Sequence, residues 1–118
     1  MGPWRCVSLA LMEYRRGHSS EAIDWGKRCL AYGNDSPARI ATIHAILAMS
    51  HYQLGHLDEA RSELAQSREM IEIKYKAGSD QGDGNGYWFD WVLGKILLRE
   101  ASALIERTPL LKPSASMR

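Results

Sequence analysis

Apolar side chains recur along this chain at steps of three, four and seven, and hardly anywhere at steps of two. Ile40, Ile43, Leu47, Ala48 and Leu54 share one stripe of a helix, and Leu57, Ala60, Leu64, Ile71 and Tyr75 share another. The β-branched residues are scattered, so strand signals are nearly absent. The breaks agree with a helical reading. Gly17, Gly33 and Gly55 stand where helices would end, supplying the positive φ of a C-terminal cap. Ser36-Pro37 reads as an N-cap followed by proline at the first helical position, where its missing N–H costs nothing. The pattern predicts helices near 3–16, 19–32, 37–54, 57–76 and 87–106, a loop from Gly78 to Gly86, and a frayed tail over 107–118.

The chain also repeats itself. Leu9-Ala10, Tyr14, Gly17 and Glu21-Ala22 return as Leu47-Ala48, Tyr52, Gly55 and Glu59-Ala60, every residue displaced by the same 38 positions. Ala10 and Ala48 are small so that the second helix of each pair can approach, and Ala22 and Ala60 answer them from that helix. The glycine lets the chain reverse, so two antiparallel helices pack.

These residues resemble the tetratricopeptide repeat, which pairs a leucine and a small residue with an aromatic one turn later, then a turn glycine and a small residue in the second helix. The match covers about 5–32 and 43–70, and Leu93-Gly94 opens a weaker third copy. The resemblance implies an all-α fold: a right-handed α–α superhelix of about two and a half helix hairpins and five helices. Its domain would span 1–106, with repeats at 3–34 and 37–76 and a half repeat at 87–106. Departures are plain. The period exceeds the family's usual length, Gly26 stands where an aromatic is common, and the closing proline is replaced by Asn34 in the first copy. The stretches Ala10 to Gly17 and Asp90 to Ile105 are also similar to repeats near the C-terminus of large bacterial signalling proteins, some with a serine/threonine kinase domain; no kinase motif lies in this chain.

Composition narrows the function classes. With 118 residues and a net charge of +1, one domain is expected and no global field steers nucleic acid or anionic membrane toward it. No apolar run reaches the roughly 18 residues of a membrane span. The two cysteines, Cys6 and Cys29, read as reduced core thiols of a cytoplasmic protein. The abrupt helix-like start at Met1-Gly2-Pro3-Trp4 suggests a piece of something longer. The glycine-rich stretch Asp80 to Gly86 lacks the strand and Gly-Lys-Ser/Thr ending of a phosphate loop, and the carboxylates of a calcium loop. His44 and His51 lie seven apart, about 10 Å along a helix, too far for one ion. His18 and His56 follow the turn glycines and read as solvated. No nucleophile elbow, carboxylate pair or HExxH is visible. Neither enzyme chemistry nor a cofactor is expected.

What remains is a protein or peptide ligand on the inner face of the first helices. Carried over from the repeat register, that face holds Leu11, Tyr14 and Arg15 beside Val7. It continues through Met49, Tyr52 and Gln53 beside Ala45 and Ile46, and ends at Trp88, Trp91 and Lys95. Tyrosine suits such a surface, giving area with little rotamer entropy. The carboxylate clamp of chaperone-binding members is not matched, because Val7, Leu11, Ile46, Trp88 and Val92 stand at its places. Helix 87–106 has a narrow polar stripe, Lys95, Arg99, Ser102 and Glu106, and more apolar surface than its neighbours need. It is therefore expected to pack on an absent domain or in a homodimer. A small-molecule sensor using the Trp88/Trp91 cluster is the remaining rival.

Overall fold

The computed structural model describes the backbone of residues 3–31, 37–76 and 88–116, and the side chains of 5–31, 37–73 and 92–106. The described residues form five α-helices: α1 (Pro3–Arg15), α2 (Ser19–Leu30), α3 (Pro37–Gln53), α4 (Leu57–Lys76) and α5 (Trp88–Ser116). The expected boundaries hold within two residues, with one correction. The tail expected over 107–118 is helical as far as Ser116. Each of Pro109 and Pro113 removes one ladder donor, and the backbone carries the helix past both losses. Gly33, Ser36 and the 78–86 loop lie outside the described residues.

The two inner turns are built alike. Gly17 and Gly55 sit at φ 86° and 84°. The N–H of His18 bonds the carbonyl of Glu13 at 2.8 Å, and that of His56 bonds His51 at 2.8 Å. Gly17 N–H reaches Tyr14 and Gly55 N–H reaches Tyr52, both at 3.0 Å. Together these bonds are the paired closure of a Schellman cap, which only a positive φ permits.

Packing follows the repeat. Each helix lies against its neighbour in sequence, and α1 and α5 also pack on α3, so α3 touches all the others. Ala10, Ala22, Ala48 and Ala60 are all fully buried, as helix-pair seams require. Of the seventeen residues of α3 twelve are buried, which makes it the centre of the core. Two glycines let neighbours reach it. A Cβ on Gly26 of α2 would come 2.7 Å from Leu47 Cδ2, and one on Gly94 of α5 would come 3.0 Å from Thr42 Oγ1. Leu47 thus takes the space that a larger side chain at position 26 would need. The radius of gyration, 14.8 Å, exceeds the roughly 13.5 Å of an average globule of this length.

The cysteines need a second correction. Cys6 of α1 and Cys29 of α2 form a disulfide, with Cα atoms 5.7 Å apart. Their burial between the helices was legible; that they face one another at bridging distance depends on how the hairpin packs. Such bonds persist in oxidising compartments, so the cysteines lend no support to a cytoplasmic location. Among the described residues no helix is long and apolar enough to cross a membrane.

Candidate functional site

Because α1 and α3 pack together and both end in glycine turns, their last turns lie side by side. Tyr14 and Arg15 from α1 and Gln53 from α3 converge there. With Gly17, Ser19 and Leu54 they line an open cavity of about 460 Å³. Leu54 is 40% exposed and supplies the apolar part of its rim.

Arg15 is held from the far side. Its guanidinium donates to both carboxylate oxygens of Glu100 on α5, Nη2 to Oε1 at 2.8 Å and Nη1 to Oε2. This fork joins the first helix to the last. The hydrogen bond to Glu100 raises the Arg15 pKa, and the same bond holds the Glu100 carboxyl below its usual range. Both side chains are well exposed, at 48% and 35%, so water screens the pair and its energy is modest.

Other positions expected on the inner face lie elsewhere. Met49 is fully buried, as are Ala45 and Ile46, and Val7 nearly so. They are core positions, part of the cluster that α3 centres. Leu11 and Tyr52 are half-buried and pack against the same core. Lys95 belongs to a different opening of about 350 Å³ between α4 and α5, shared with Ile71, Glu72, Leu98, Arg99 and Ser102. Trp88 and Trp91 are in α5, but their side chains lie outside the described residues.

The polar stripe of α5 faces α4 over part of its length. Arg68 donates to Ser102 Oγ at 2.8 Å and to both Glu106 oxygens, at 2.9 and 2.8 Å. That bond holds Glu106 below its usual pKa range. Of the apolar surplus expected on α5, the part within the described residues 92–106 is mostly covered. Leu97, Ala101 and Ile105 are buried, Leu93, Leu98 and Leu104 half-buried, and Ile96 alone of these is largely exposed, at 54%.

The histidines following the turn glycines are exposed, yet each has a partner across its own turn. His18 Nδ1 meets Glu13 Oε1 at 2.7 Å, and His56 Nδ1 meets His51 Nδ1 at 3.2 Å. His44 pairs with Glu63 of α4. Burial, more than any neighbouring charge, pushes the His51 pKa below its usual value.

Sequence reasoning reached Tyr14, Arg15 and Gln53 but missed Ser19, Leu54 and Glu100. The turn register could have offered Leu54, which precedes Gly55. Glu100, 85 residues from its partner, carries no local signal. Comparison of the chain with protein-family models, curated proteins and solved structures gives no match.

Proposed function

We propose that this chain is a tetratricopeptide-like solenoid module that captures a protein segment at the cavity where α1 and α3 end. The observation that carries the reading is the convergence of Tyr14, Arg15 and Gln53 on one opening. The repeat register alone puts all three on the ligand-facing side. The opening mixes a phenol, a guanidinium, a carboxamide and a leucine edge, a set suited to a peptide backbone with one apolar side chain. The stacking of consecutive hairpins on α3 supports the solenoid part of the proposal, as do the four buried alanines. The similarity of 10–17 and 90–105 to repeats of large bacterial signalling proteins supports a role as one module of such a protein.

The test is a peptide display selection on the oxidised chain, followed by titration of the selected peptides. Tyr14→Ala with Gln53→Ala should weaken binding at least tenfold, while Met12→Ala and Ile73→Ala, exposed on other surfaces, leave it unchanged. Binding that survives the double substitution, with helicity intact by circular dichroism, would move the ligand face elsewhere.

A further inference from the structure

The two inner turns share one backbone but hold different side-chain pairs. In the first, an imidazole meets a carboxylate: His18 and Glu13. In the second, two imidazoles meet: His51 Nδ1 and His56 Nδ1 are 3.2 Å apart, with ring centroids at 5.4 Å and ring planes at 42°. Two neutral histidines so placed share one hydrogen bond, one Nδ1 donating and the other accepting. The same separation suits a different guest. Two nitrogens bound to one ion at about 2.05 Å lie roughly 2.9 Å apart at a right angle and roughly 3.3 Å apart at the tetrahedral angle. The observed distance falls between these limits.

We propose that His51 and His56 form a two-imidazole chelate for a divalent transition-metal ion, closed across the turn between α3 and α4. Chelation needs only a small adjustment of the two rings, turning the Nδ1 lone pairs from each other to a shared ion while their separation stays near the observed 3.2 Å. The donor ring moves its proton from Nδ1 to Nε2, so the neutral pair loses no net proton. Water fills the remaining positions, because among the described residues no three His, Cys, Asp or Glu side chains are grouped to hold an ion. The surrounding charge favours a cation. Glu59 and Glu63 of α4 act on His51 from one side, against Lys27 of α2. The Cys6–Cys29 bond keeps thiolates from competing in the oxidised protein. Backbone hydrogen bonds already fix both residues at the turn, so little order is lost on chelation.

The test uses untagged, oxidised protein titrated separately with CuCl₂, ZnCl₂ and MgCl₂ near neutral pH. Calorimetry should give one ion per chain, with copper tighter than zinc and no magnesium binding. Long-range imidazole ¹H–¹⁵N spectra should show the Nδ1 signals of His51 and His56 shifting together. The ion should raise the melting temperature, since it binds the folded state. His51→Gln and His56→Gln should each weaken zinc binding roughly tenfold or more, while His18→Gln and His44→Gln leave it unchanged. Zinc affinity unaltered in both His51→Gln and His56→Gln would overturn the proposal, as would loss of binding in His18→Gln or His44→Gln. If His51→Gln fails to fold, the imidazole spectra of the unsubstituted chain decide the question alone.

Discussion

The hairpin α1–α2 and the hairpin α3–α4 are two versions of one design, and they are fastened differently. Residue by residue, 38 positions apart, the turns agree: Gly17 with Gly55, and Tyr14 with Tyr52. So do the seams, Ala10 with Ala48 and Ala22 with Ala60. The fastenings do not. Cys6 and Cys29, joined covalently, correspond to His44 and Ser67. Those two are tied by hydrogen bonds instead, His44 to Glu63 and Ser67 Oγ to the Ala41 carbonyl at 2.9 Å. The first hairpin has helices of thirteen and twelve residues, the second seventeen and twenty. The shorter pair carries the covalent link; the longer pair manages without one.

The sharpest way to break this comparison is to remove the link. Reduction, or Cys6→Ser with Cys29→Ser, should cost about 3 kcal/mol by the chain-entropy relation for a 23-residue separation. The melting temperature should fall by on the order of 10 °C. Hydrogen exchange should quicken in α1 and α2 first, while the amides of α3 and α4 stay protected. Equal loss in both hairpins would mean that the bond braces the whole domain.

Next in size is the interior swap at one register position. Gly26 corresponds to buried Leu64. Gly26→Leu would drive a side chain into Leu47 and should cost about 1–3 kcal/mol by overpacking, read from chemical denaturation. A neutral result would show that α2 can slide off α3.

Smaller and more nearly equal effects are expected at the turns. Gly17→Ala and Gly55→Ala have open space around the new methyl, so only the positive φ opposes them. Each should cost about 1–2 kcal/mol. Thermal melts differing by much more than the two φ values do would show that the caps are not interchangeable.

Acid should have the least effect. Arg15 and Arg68 hold Glu100 and Glu106 below the usual carboxylate pKa, so their stabilisation is present above the unfolded value. It is lost as pH falls below about 4.5 and through the lowered folded values. Because both pairs are exposed, the change should be under about 1 kcal/mol for each. Glu100→Gln should flatten the pH dependence of denaturation without altering the midpoint near neutrality by more than that.

Much of the fold was legible because it is local. Helix stripes, turn glycines and the alanine seams are written within a few residues of one another, and the 38-residue displacement ties them together. What escaped the reading depends on which faces meet. Met49 and Tyr52 lie on the same helix, yet one is sealed and the other half-exposed, depending on how the neighbouring helices pack on α3. The disulfide needed the rotation of α1 against α2, and the Arg15–Glu100 fork needed the placement of α5. For the candidate site, the two turn ends gave Tyr14, Arg15 and Gln53. No periodicity could place Ser19 in the lining or Lys95 outside it.

The burial of most of α3 bears on how the domain melts. In long helical arrays each unit leans only on its neighbours, and stability adds up link by link. Here one helix touches all four others, so neither end can loosen far without uncovering part of it. The chain should therefore unfold in a single sharp transition, with van't Hoff and calorimetric enthalpies in agreement.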